Sequence, residues 1–239
     1  MGALGNEEEV IRRLVLPAGA IGPGDYELSS ELAHYVRRVL RLRPNDNMFV
    51  SDGAGVSAHA QIINAETIHI SNIVKEPTPK GPRLTLIQGI AKGDKMDSVI
   101  RQATELGVTC IRPVVCERSV AHQKGRLERW KTIAEDAVRV SGRMWRPQIQ
   151  PIAPLEAVLQ LPREEHSFCL SLNAERLMPS TVQSAEILIG PEGGLTSSEI
   201  EAAKQAGFEP VQFGAHTLRT ETAGPACLSV LMYGSGGFG

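Results

Sequence analysis

Two short stretches carry residue types suited to chemistry on a small ligand. The first, "LIGPEGGLTSSEI" from Leu188 to Ile200, sets the carboxylate Glu192 between Gly190-Pro191 and Gly193-Gly194. Ile187, Leu188 and Ile189 read as a strand buried on both faces of a parallel sheet. Thr196 and Glu199 form a capping box that starts a helix with Ile200, Ala203 and Ala206 on its apolar side, ending at Gly207. Open α/β sheets bind ligands at such a turn, and glycines there let a ligand approach the main chain. The turn lacks both Gly-Lys-Ser/Thr and GxGxxG, and its anion repels polyphosphate, so it is not a phosphate loop. It suits hydroxyls, backbone amides or a cationic ligand; a tight connection with a solvated Glu is the plainer alternative.

The second, "FGAHTLRTETAGPACLSVLM" from Phe213 to Met232, repeats the architecture: a short strand, Gly214, a loop, then a helix apolar nearly all round. Thr220 or Thr222 can cap that helix, and Glu221 suits its positive end. Arg219 meets the macrodipole with the wrong sign, so it either makes a structural salt bridge or faces a ligand or developing negative charge. If the two strands are neighbours, both loops lie side by side at the carboxyl edge of the sheet. A small ligand is then gripped mainly by backbone atoms.

Positive charge is local. The formal charge is −2 over 239 residues, so there is no global pull toward nucleic acid. Yet "HYVRRVLRLR" gathers Arg37, Arg38, Arg41 and Arg43, and helical spacing would bring Arg37 and Arg41 to one face. A second cluster runs from Lys124 to Arg146. Such surfaces track a phosphate backbone; a solvated helix face is the usual alternative. The six histidines are scattered without ligand spacing, and Cys110, Cys116, Cys169 and Cys227 form no CxxC, so no metal site and no disulfide framework is expected. Buried reduced thiols are the plain reading. The N-terminal "MGALGNEEEVIRRLVLP" does not read as a signal peptide, and no stretch approaches the ~18 apolar residues of a membrane span, which points to the cytoplasm.

These residues must be positioned by two kinds of element. Before the break "KEPTPKGPR", short β-rich runs such as "RRLVLP", "NMFVSDGAG", "SAHAQIIN" and "TIHISNIVKE" surround one helix at "SSELAHYVRRVLR", as in a small β-barrel domain. After it, strands and helices alternate: "RLTLIQGIA", "DKMDSVIRQATELG", "TCIRPVV", "RLERWKTIAEDAVRVSG", "HSFCLSL", "AEILIG", the capped helix, "PVQFG" and a last helix near Thr220. That rhythm is an α/β fold with a mostly parallel sheet and helices on both faces. The expected division is 1–75, a linker at 76–83, and 84–239.

Together, "LIGPEGGLTSSEI", "FGAHTLRTETA" and "KGDKMDSVIRQATELGVTCIRPVVCERSV" resemble the RsmE family of ribosomal RNA methyltransferases, of the SPOUT class. The resemblance runs nearly end to end. It implies a C-terminal trefoil knot, against the rarity of knots, and a PUA-like N-terminal barrel that binds RNA. It implies S-adenosyl-L-methionine held in a bent shape by Leu172, Ile189, Gly190, Pro191, Glu192, Gly193, Gly194, Phe213, Gly214, Leu218, Thr220, Thr222 and Ala223. The implied reaction is methylation of N3 of a uridine in 16S small-subunit rRNA, within an assembled particle, by a homodimer packed through its C-terminal domain. Arg219 and Glu221 become the catalytic candidates, and Arg37, Arg38, Arg41, Arg43 and Arg143 the RNA-binding ones. Where that family commonly reads Glu-Gln-Ser/Cys-Gly-Arg-Asn/Thr, this chain has Arg139-Val140-Ser141-Gly142-Arg143-Met144. The rival readings are a SPOUT enzyme acting on a ribose 2′-hydroxyl or another RNA, a non-catalytic RNA-binding protein, and a nucleotide-dependent α/β enzyme.

Overall fold

The structure, a computed structural model, describes residues 12–119, 126–172, 174–175 and 177–237. The acidic start of the chain, His122 and Lys124 lie outside the described residues. Two compact units are present: the chain up to Thr78 together with Gly142–Trp145, and Pro79–Ser141 together with the chain from Arg146 on. The return of four residues to the first unit has no counterpart in the expected division at 76–83.

The first unit is built from β1 (Arg13–Val15), β2 (Gly24–Glu27), α1 (Ser30–Arg38), β3 (Asn47–Ser51), β4 (Val56–Ile62) and β5 (Thr67–Lys75), in the sheet order β1-β3-β4-β5-β2. β1 runs parallel to β3 and the other pairs are antiparallel. Period-2 alternation turns Met48, Val50, Ala58, Ala60, Ile62, Ile68 and Ile70 into one core with Ala33 and Val36 of α1. Asp52 organises the β3–β4 turn by accepting from the amides of Gly19, Ala54 and Val56. Helix α1 starts where Ser29 accepts from Leu32 N–H and stops at Arg38. The Leu40 and Leu42 amides then reach back to Tyr35 and Val36 carbonyls, with Arg41 in the left-handed region at φ 56°. Arg41 is therefore off the helix, and the expected Arg37–Arg41 face does not form.

The second unit contains β6 (Arg83–Gly89), α2 (Lys95–Glu105), β7 (Cys110–Val115), α3 (Arg126–Ser141), β8 (Gln148–Ile149), β9 (Ala153–Pro154), α4 (Leu155–Leu159), β10 (His166–Leu170), β11 (Ser184–Ile189), α5 (Ser197–Gln205), β12 (Glu209–Val211) and α6 (Thr220–Gly234). Its sheet order is β12-β10-β11-β6-β7-β8, with β9 also pairing β7, and every pair is parallel. On one face Leu84, Leu86 and Ile187 pack with Ile100, Trp130 and Leu228 of α2, α3 and α6. On the other, Ile87, Val114 and Leu188 meet Leu159 of α4 and Ala203 of α5. Glu186 is fully buried in this second layer, where Ser167 Oγ donates to it at 2.7 Å and Arg112 and Arg163 neutralise it. The four cysteines are free thiols, and burial pushes Cys116, Cys169 and Cys227 each up to about 12. The strands β11 and β12 are not neighbours: β10 runs between them, so a third loop enters the ligand-binding edge.

Candidate active site

The loops after β10, β11 and β12 and the first turn of α6 enclose a cavity of about 510 Å³ and a smaller one of about 150 Å³. The two share Leu170, Leu172, Thr217 and Leu218 as their common wall. The "GPEGG" turn is shaped by its glycines at two points. A side chain at Gly190 would put a Cβ 2.8 Å from the Leu195 amide, and Gly194 sits at φ 69°. Arg118 donates to the Gly193 carbonyl at 2.6 Å, and Glu199 ties the following helix down twice. One Glu199 oxygen completes the capping box with Thr196 N–H; the other accepts from Glu117 N–H at the end of β7.

At the second stretch the N-cap is Arg219, without a side-chain cap bond, and neither threonine caps the helix. Thr220 instead joins three segments. Its hydroxyl donates to Gly190 O at 2.6 Å and accepts from Gln88 Nε2 at 2.9 Å, so the start of α6 is bolted to the β11 turn and the end of β6. Thr222 is exposed and lines neither cavity.

Charge gathers at one end of the larger cavity. Glu192 accepts from Lys92 N–H at 2.8 Å and pairs with Lys95 Nζ at 3.1 Å. Burial pushes its carboxyl upward, but hydrogen bonds from its own amide and that of Lys92, with the Lys95 ammonium, together hold it below the usual carboxylate range. Glu221 lies 3.7 Å from Lys95 Nζ and 4.0 Å from Arg219, whose side chain is 82% exposed at the rim. One Glu221 oxygen is buried without a hydrogen-bond partner. Lys95 thus stands between two carboxylates, closer to Glu221 than Arg219 is.

Of the residues expected from the sequence, Leu172, Ile189, Gly190, Pro191, Glu192, Gly193, Gly194, Leu218, Arg219, Thr220, Glu221 and Ala223 line the larger cavity. Phe213 and Gly214 line the smaller. Lys95, Gln88 and Leu170 were not foreseen. A usable signal existed for Lys95: it is the first residue of α2, a cation at a helix N-terminus, as anomalous there as Arg219. In the first unit Arg37, Arg38, Arg41 and Arg43 are exposed, whereas Arg143 is half-buried and burial lowers it to about 10, still protonated at neutral pH. No group of three or more His, Cys, Asp and Glu able to hold a metal exists among the described residues. Among them no helix is long and apolar enough to cross a membrane.

Such a site can hold a neutral or cationic ligand through backbone groups and carboxylates, with the cations Lys95 and Arg219 beside those carboxylates. Its apolar walls, Leu172, Ile189 and Leu218, and the absence of a phosphate cradle fit a sulfonium nucleoside. Residues 78–232 match the family model described as RNA methyltransferase domain, and residues 28–71 that described as RNA methyltransferase PUA domain. The chain is 33% identical to the ribosomal RNA small subunit methyltransferase E of Synechocystis over 229 residues, spanning 91% of this chain and 76% of that one. It is 28% identical to the protein of the same name from Bacillus subtilis, spanning 87% and 90%. The solved structure of ribosomal RNA small subunit methyltransferase E from Neisseria gonorrhoeae, bound to S-adenosyl methionine, superposes with a TM-score of 0.85 at 32% identity over 93% of this chain and 97% of that one.

Proposed function

The chain belongs to the ribosomal RNA small subunit methyltransferase E family, and from that premise we propose that it methylates N3 of a uridine in 16S rRNA. It is an S-adenosylmethionine-dependent RNA methyltransferase. The observation that carries the proposal is the paired cavity, in which two glycine-bearing turns present backbone groups and Glu192 and Glu221 present negative charge. Its two lobes meet at Leu170, Leu172, Thr217 and Leu218, so one ligand can extend from one lobe into the other.

S-adenosylmethionine, when bound, supplies a methyl group activated by the sulfonium. Residues Ile189 to Gly194, Leu172, Phe213, Gly214, Leu218, Thr220 and Ala223 would hold it, so that positioning supplies much of the rate. Arg219 stands at the rim and Lys95 deeper, between Glu192 and Glu221, on the side where negative charge would spread over the uracil carbonyl oxygens once N3 loses its proton. Cations there stabilise that charge and favour the loss. Glu221 keeps Lys95 and Arg219 oriented. The exposed arginines of the first unit take phosphates and position the RNA without reading it.

The same reading extends to assembly and place. Val230 and Tyr233, exposed on α6, support a homodimer packed through the C-terminal unit. The trefoil knot of the C-terminal unit is part of the same reading, and a sheet order that sets β10 between β11 and β12 is compatible with it. A folded RNA in an assembled small subunit, met in the cytoplasm, offers phosphates to both units.

The test is transfer of labelled methyl from S-adenosylmethionine to small ribosomal subunits lacking the modification, followed by nucleoside digestion and mass spectrometry. Label in 3-methyluridine is expected. Label in a 2′-O-methylated nucleoside, or none despite cofactor binding, overturns the assignment of the target atom or the substrate.

A further inference from the structure

Phe49 points the wrong way for a core aromatic. Its neighbours Met48 and Val50 are buried, while Phe49 is 39% exposed on the outer face of β3. The sheet register lines up Arg13, Phe49 and His59 in one row across β1, β3 and β4, and Ser51 with Ser57 in the next. The rings of Phe49 and His59 lie with centroids 4.3 Å apart, tilted by 53°. Beside them opens a cavity of about 210 Å³ within the first unit, walled also by Gly142 and Met144.

The chemistry of this cavity is selective. No carboxylate lines it, and a cation, two hydroxyls and an aromatic ring do. Gly142 sits in the left-handed region at φ 73°, and the Arg13 guanidinium lies against it, Nε being 2.7 Å from where a Cβ would fall. The volume is below the ~300 Å³ at which pockets for whole drug-sized ligands begin. It therefore suits one flat ring rather than a dinucleotide. Aromatic faces with adjoining Arg and hydroxyl groups are how proteins hold splayed-out bases of single strands.

We propose that this cavity is a stacking site for one unpaired nucleobase of the RNA substrate, with Phe49 as the platform. Arg13 meets the adjoining phosphate or a base carbonyl, and Ser51 and Ser57 bond the base edge. The site is separate from the catalytic cavity and from the arginines around α1, and it rests on the reading of this chain as an RNA enzyme. Its role is to select RNA with an unpaired base, which phosphate contacts alone do not do.

The probe is a labelled single-stranded oligoribonucleotide, titrated against the full chain by fluorescence anisotropy over a range of salt. Phe49→Ala is expected to weaken binding about tenfold while leaving the salt slope unchanged. Phe49→Tyr is expected to bind like the wild type, and Arg13→Gln to lower the salt slope by about one. S-adenosylmethionine affinity, measured on the same samples, should not move, which separates a lost contact from a damaged fold. Should Phe49→Ala not fold, a 4-thiouridine strand crosslinked to the wild-type chain is expected to label the β3 peptide. Unchanged affinity in a folded Phe49→Ala, crosslinks only outside β3, or self-association lost in that variant each overturn the site. A wild type that transfers no methyl yet shows Phe49-dependent binding removes the methyltransferase reading and keeps the site.

Discussion

Replacing Thr220 by Val keeps the shape of the side chain and removes the hydroxyl that joins the β11 turn, β6 and α6. Thr220 is 7% exposed. Its hydroxyl donates to Gly190 O at 2.6 Å and accepts from Gln88 Nε2 at 2.9 Å. Gln88 Nε2 also donates to Gly89 O, so the amide keeps one partner and the stranded group is the Gly190 carbonyl. A buried acceptor left unpaired costs ~1–3 kcal/mol. At about 2–4 °C per kcal/mol for a chain of this size, the melting midpoint falls by roughly 2–12 °C. Gly190 lines the larger cavity, so the loosened turn should also weaken S-adenosylmethionine binding by about 5- to 150-fold if the whole cost is felt there. Thr220→Ser restores the hydroxyl and loses one methyl, worth about 0.8 kcal/mol. Thermal denaturation and calorimetric titration of both variants decide it. Wild-type midpoint and affinity in the Val variant, or equal damage from Ser, would refute the hydrogen-bonded junction.

Arg219→Ala should bind S-adenosylmethionine as the wild type does and lose about 10²–10³ in turnover, the cost of removing one group that stabilises developing charge; normal single-turnover rates would take Arg219 out of the mechanism. Glu192 has a lowered folded pKa, so its contribution is intact at neutral pH and is lost as pH falls through that value. Lys95→Met removes one cause of the lowering, and cofactor affinity should begin to fail at a higher pH on acidification; superimposable acid profiles of wild type and variant would disprove it. Cys116, Cys169 and Cys227 are each pushed up to about 12 in the folded chain. Between the ordinary thiol value of about 8.5 and that range the unfolded chain binds fewer protons, so stability should fall by ~1.4 kcal/mol per pH unit for each thiol. Urea unfolding at rising alkaline pH measures this, and a flat profile would show the thiols are not buried.

Elements with strong local signals were legible. The capping box at Thr196 and Glu199, the apolar run of β11 and the strand–helix alternation after Arg83 each follow from side-chain spacing alone. β2 escaped because Gly, Asp and Glu are poor strand formers; its pairing with β5 is helped by Asp25 and His69, 2.6 Å apart across the ladder. The short α4, β8 and β9 are set by packing against β7 and α5 rather than by period. Arg41 was misplaced because arginine carries no stop signal, and the chain leaves α1 through a left-handed residue that usually falls to glycine. The nominated pocket residues were mostly legible as types, and their roles less so. Thr220 reads as a cap from its position, yet its partners are 30 and 132 residues away.

That distance explains why such a site can be named from its motifs but not assembled from them. Each loop alone is a strand end followed by a helix start, and each could have stood anywhere along the carboxyl edge. Placing β10 between β11 and β12 separates the two glycine-bearing turns by one strand and fills the gap with Leu170 and Leu172. The cavity consequently gains an apolar wall that neither motif contains. The same order leaves α6 to return over the sheet and meet the β11 turn through one hydroxyl. A charge pair at that junction would need its partners desolvated and its geometry kept. A neutral hydroxyl that donates once and accepts once satisfies a buried carbonyl and a buried amide without adding charge. The carboxylates Glu192 and Glu221 and the cations Lys95 and Arg219 are thereby kept away from that junction, paired with one another at one end of the larger cavity.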